Sequence, residues 1–62
     1  MLEDPYHLIE GKLIEIRQKA IKIDKQWFPA SVLKYGIESA WLINSQIEVE
    51  VAEWFLVENR II

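Results

Sequence analysis

The chain contains no cysteine, which excludes disulfides and thiolate metal sites as sources of stability. Glycine and proline occur only twice each, so other residues must make the turns. Gly11 and Gly36 stand alone, with no Walker pattern or dinucleotide fingerprint around either. The single histidine, His7, falls in a stretch expected to be mobile, and no partner or orienting group is legible nearby. A general base needs both. Ser31, Ser39 and Ser45 lack the Gly-flanked turn of a nucleophile elbow. No apolar run approaches the roughly 18 residues of a membrane span. Residues 1–10 carry acids and a proline where a secretory leader would carry a basic region and an apolar core. The expectations are therefore no enzymatic activity, no cofactor, no metal and no membrane partner. The expected compartment is the cytoplasm.

What remains is grease and charge. The chain has 62 residues, 52% of them apolar, with three tryptophans. That is far from the composition of a disordered segment. It is enough for one domain, residues 1–62. A domain this small buries only ~60% of its unfolded surface, so a dense core or self-association must compensate. The net charge of −3 hides a segregation. Arg17, Lys19, Lys22, Lys25 and Lys34 face Asp24 alone in one stretch. Glu38, Glu48, Glu50, Glu53 and Glu58 face Arg60 alone in the other. Such separation marks either a binding face or two solvated strand surfaces.

Period-two alternation is clearest at Ile47, Val49 and Val51, interleaved with Glu48 and Glu50. Residues 39–43 are rich in strand formers, and Asn44-Ser45 supplies turn chemistry, so residues 39–51 are expected to form a hairpin. Earlier, Ile14 and Ile16 alternate with Glu15 and Arg17, then Ile21 and Ile23 with Lys22 and Asp24. The apolar parity changes between the pairs, which requires a turn or bulge near Gln18-Lys19. Asp24-Lys25 is a second expected turn, leading into Gln26-Trp27-Phe28. Pro29 ends that strand or lies at an edge. Ser31 is then expected to cap a helical turn over residues 32–35, closed by Gly36. At the C-terminus Trp54, Val57 and Ile61 recur at helical spacing, with Glu53 in the first turn and Asn59 as terminator. Helix is the favoured reading there, and a fifth strand the rival. The fold class is thus mainly β, with one short C-terminal helix. About five strands would form a small bent meander or partial barrel, SH3-like or OB-like.

Two surfaces stand out for binding. Trp54, Phe55, Leu56 and Val57 are consecutive apolar residues, and a helix buries only one stripe. Trp54, Phe55 and Leu56 are accordingly the candidate contacts for a protein partner or a second copy in a homodimer. The other surface mixes bases with aromatics. Lys19, Lys22, Lys25, Trp27 and Phe28 could bind single-stranded nucleic acid by the basic-groove, base-stacking mode, although such binders are usually basic overall. Glu48 and Glu50 share a strand face that could hold a hard cation weakly. A solvated acidic face explains them more simply.

Three segments resemble a group of small prokaryotic and phage β-domain proteins. These are Lys19-Ala20-Ile21-Lys22-Ile23, then Gln26-Trp27-Phe28-Pro29-Ala30-Ser31-Val32, and Ile47-Glu48-Val49-Glu50-Val51-Ala52-Glu53-Trp54-Phe55-Leu56. The resemblance spans about two thirds of the chain. It implies core-anchor roles for Trp27 and Trp54, with Pro29 and Ser31 as strand exit and cap. It implies no activity. The chain departs from the group at Ala52, usually Pro there, and at Ala30, where a base is common. The function expected is a non-catalytic binding or accessory module acting through protein contacts or self-association, with single-stranded nucleic-acid binding as the alternative.

Overall fold

The computed structural model describes residues 5–62; residues 1–4, part of the stretch read for a leader, lie outside them. Four antiparallel strands, β1 (Tyr6–Ile16), β2 (Ala20–Ile23), β3 (Gln26–Pro29) and β4 (Gln46–Ala52), form one sheet in the order β3-β2-β1-β4. A 3₁₀ turn (Ala30–Val32) follows β3, and a helix, α1 (Glu53–Glu58), follows β4. The sheet curls into a half-barrel, and α1 closes it. Phe28 of β3 meets Phe55 of α1 at 5.7 Å between ring centroids, so the two ends of the sheet share one aromatic contact. Around it lie Leu13, Ile21, Ile23, Val32, Ile47, Val49, Val51 and Leu56, all buried. No helix of the described residues is long and apolar enough to cross a membrane.

The curl is made in β1, which pairs with β4 over Tyr6 to Lys12 and with β2 from Leu13 onward. At the changeover sits Gly11. A Cβ there would lie 2.6 Å from Ile23 Cγ2 and would also collide with the Asp24 carboxylate. Glycine leaves room for the Ile23 and Asp24 side chains to lie this close to β1. The Asp24 amide donates to the Lys12 carbonyl at 2.9 Å, and the Lys12 amide donates to Asp24 Oδ1 at 3.3 Å. Asp24 opens the Asp24-Lys25 turn at φ 53°, a left-handed conformation Asp tolerates better than most residues.

The expected turns at Gln18-Lys19 and Asp24-Lys25 are present, as are the dry faces of Ile21/Ile23 and Ile47/Val49/Val51. The first strand differs from expectation. It begins at Tyr6, so His7 is not in a mobile stretch but in a ladder opposite Val51. Its buried anchor is Leu13. A register shift falls between Leu13 and Glu15, leaving Ile14 as the extra residue on the outside and Ile16 opposite Ile21 at the exposed rim.

The hairpin over residues 39–51 does not form. Residues 39–45 make turns, and β4 pairs with β1 instead. Strand-forming side chains need a partner in register, and a hairpin onto β4 would have to pair at the end of it that is already met. Its other edge is met by Leu33, which bridges to Val51, and by the Lys34 amide, which donates to the Glu50 carbonyl. Among the described residues there are four strands, not five. Asn44 does take positive φ, 71°, in the turn that delivers the chain to β4. The helical turn over residues 32–35 is replaced by the 3₁₀ turn, which starts one residue after β3 with no side-chain cap. Ser31 sits within the 3₁₀ turn. Gly36 does adopt φ 71°, closing the turn after Leu33 through its amide to the Leu33 carbonyl.

The C-terminal segment is helix, with Glu53 in its first turn and Asn59 at its end. Ala52 enters at φ −57°, the dihedral a proline would impose, so the helix begins without one. Its buried stripe is not Trp54/Val57/Ile61. Val51 and Ala52 both arrive buried at the end of β4, which sets the phase. From Ala52, the i+3 and i+4 positions are Phe55 and Leu56.

Candidate functional site

The structure divides the expected contact residues sharply. Leu56 is fully buried and Phe55 nearly so, whereas Trp54 is 55% exposed. Phe55 and Leu56 belong to the core and cannot form a docking surface without unfolding the domain. What the helix presents is Trp54, set edge-on to Phe55 at 6.0 Å, and Val57 one turn later, also exposed. The core-anchor role for Trp54 is overturned by the same numbers. The helix entrance is tied to β1. His7 Nε2 lies 2.8 Å from Glu53 Oε1, and the Glu53 amide donates to the Pro5 carbonyl at 3.0 Å.

The basic set divides in the same way. Phe28 is buried in the core and offers no face to a base. Trp27 is half-buried on the outer face of the sheet, directly opposite Lys22. The Lys22 ammonium lies 5.9 Å from the Trp27 ring centroid and the Arg17 guanidinium carbon 5.6 Å from it. Arg17, which also pairs with Glu15, was not singled out from sequence. It lies in the β1–β2 turn, and its approach to Trp27 depends on the β2–β3 pairing. Lys19 and Lys25 are exposed in the two turns that flank this face.

The outer face of the β1–β4 half is acidic. Glu48 lies directly opposite Glu10, and Glu50 opposite Leu8. Among the described residues no group of three or more His, Cys, Asp or Glu is placed to hold a metal ion. Beside this face the segment after the 3₁₀ turn arches over β4 and encloses a groove of about 260 Å³. Tyr35, Glu38 and Trp41 line it from the segment, and Leu8, Glu48 and Glu50 from the sheet. Sequence reasoning misses this groove, because it expects Trp41 in a hairpin that does not form and gives Glu38 no structural role. No family model, curated protein or solved structure matches the chain.

Proposed function

We propose that this chain is a small non-catalytic binding module that works in the cytoplasm through protein contacts, with Trp54 and Val57 as its contact pair. The observation that carries the reading is the exposure of Trp54. A domain short of core volume leaves its largest side chain outside, on a helix whose neighbouring aromatic is inside. Tryptophan is the side chain most enriched among interface hot spots. Val57, one turn along the helix, extends the apolar surface. The partner is another protein or a second copy of this chain. The test combines light scattering on the purified protein with affinity capture, comparing the unaltered chain with Trp54→Ala. The reading expects a dimer or a retained partner that the variant loses while still unfolding cooperatively. A strict monomer retaining nothing, or a variant that behaves identically, would sink it.

A second reading is favoured by the Arg17–Trp27–Lys22 cluster: binding of single-stranded nucleic acid on the outer face of β2 and β3, with Lys19 and Lys25 at its margins. A half-buried ring between cations supplies a stacking platform and phosphate contacts together. It expects Trp fluorescence quenching by an oligonucleotide that weakens with salt and disappears in Trp27→Ala. Absence of quenching at low salt removes this reading.

A further inference from the structure

We propose that the groove between β4 and the arching segment after the 3₁₀ turn receives one arginine or lysine side chain from a basic segment of a partner protein. This goes beyond the Trp54 reading: it concerns another surface and another chemistry, and it stands if that reading fails. Three observations converge. The first is the lining. Tyr35 and Trp41 contribute aromatic surface, and Glu38 and Glu48 contribute carboxylates beside Glu50, which pairs with Lys34. Aromatic faces attract cations through their quadrupole, and the carboxylates add charge of the matching sign. The second is charge imbalance. Glu48 stands directly opposite Glu10, an arrangement of like charges that destabilises a strand pair. Among the described residues neither Glu38 nor Glu48 has an ion pair. A cation delivered from outside would relieve this.

The third observation is that the chain already holds one cation at the edge of the groove by the same means. The Lys34 ammonium lies 5.5 Å from the Tyr35 ring centroid, 5.6 Å from that of Tyr6 and 4.0 Å from Glu50 Oε1. Two rings and a carboxylate around an ammonium is the arrangement proposed for the incoming side chain, with Trp41, Glu38 and Glu48 in place of Tyr6 and Glu50. Size selects the occupant. About 260 Å³ falls below the ~300–1,000 Å³ of pockets for whole small ligands, and suits a single long side chain entering from a peptide.

The experiment is a titration of the full ¹⁵N-labelled chain with acetyl-Gly-Arg-Gly-amide, followed by amide and indole NMR shifts. The matched citrulline peptide and free spermidine serve as comparison probes. The expected result is saturable shifts at Tyr35, Gly36 and the Trp41 indole, with the citrulline peptide clearly weaker. Glu48→Gln and Glu38→Gln, both at exposed positions, should each weaken the arginine peptide roughly two- to fivefold. Tyr35→Ala should weaken it to a similar degree, about two- to fivefold, and an unchanged spectrum elsewhere shows that each variant is folded. Non-saturating shifts, an equal response to citrulline, insensitivity to both Glu variants, or shifts centred on Trp27 or Trp54 would overturn the proposal. Equal or stronger binding of spermidine would overturn the peptide as occupant. Concentration-dependent shifts at the groove without any peptide would replace the foreign partner with a second copy.

Discussion

At the scale of single residues, adjacent positions with similar chemistry have opposite fates. Trp54 and Leu56 differ by two places in the chain and by the whole difference between surface and core, and Trp27 and Phe28 by one place and half of it. Leu56→Ala should therefore cost about 2–5 kcal/mol, enough to unfold most of a domain this small. Trp54→Ala should cost under about 1.5 kcal/mol, the range of its aromatic edge contact. Urea denaturation of the two variants reads the contrast directly. Gly11→Ala places a methyl against Ile23 and the Asp24 carboxylate, and overpacking of this kind costs about 1–3 kcal/mol. A thermal scan should show the midpoint falling by roughly 4–8 °C per kcal/mol. An unchanged midpoint would mean that the Ile23 and Asp24 side chains move aside at little cost. These contrasts were not legible in the sequence. The aromatics at 27, 28, 54 and 55 are interchangeable by composition, and only the phase set by flanking strands decides which one turns inward.

At the scale of elements, alternation was a sound guide where each strand has one dry face. β2, β4 and the turn at Asp24 follow from the residues themselves. The guide failed where pairing partners compete. Residues 39–43 are good strand material that makes no ladder, because β1 takes one side of β4 and Leu33 with Lys34 meets the Glu50–Val51 end of the other. The strand that takes the place beside β4 begins at Tyr6, in a stretch that looked like a loose end. Its alternation is masked because Gly11 occupies a buried position without an apolar side chain. α1 is only six residues long, far below the ~12–15 residues at which an isolated helix holds together in water. It exists because Phe55 and Leu56 are buried. The contact of His7 with Glu53 is half-exposed, and His7→Ala should change stability by no more than about 1 kcal/mol, measured by the same denaturation curves.

At the scale of the whole molecule, the charge segregation seen in the sequence becomes two separate regions. Arg17 and Lys22 cluster with Trp27 on the outer face toward the β3 edge, and Glu10, Glu48 and Glu50 lie on the outer face of β1–β4, where Lys34 alone of the segregated bases joins them. The sequence could show that signs were separated but not that Trp41 and Tyr35 would stand among the acids, since their placement comes from the path of a segment without regular structure. The core is equally divided along the chain. Ile47, Val49, Val51, Phe55 and Leu56 come from the last third, and Leu13, Ile21, Ile23 and Phe28 from the first half. A fragment of residues 1–38 should therefore show no dispersed NMR spectrum, despite containing three of the four strands. Dispersion in that fragment would mean that the first three strands are a domain in their own right.

The pairing of β1 with β4 joins Tyr6 to Ala52, so the most remote parts of the chain must meet before the half-barrel is complete. Contacts of that kind slow folding. If the ends were linked by a flexible tether and the chain were reopened in the exposed turn at residues 39–40, β4 would precede β1, with α1 and the tether between them. Such a circular permutant keeps every strand neighbour and shortens the closure of the β1–β4 ladder, while lengthening that of the single Leu33–Val51 bridge. Stopped-flow refolding should find it the faster of the two.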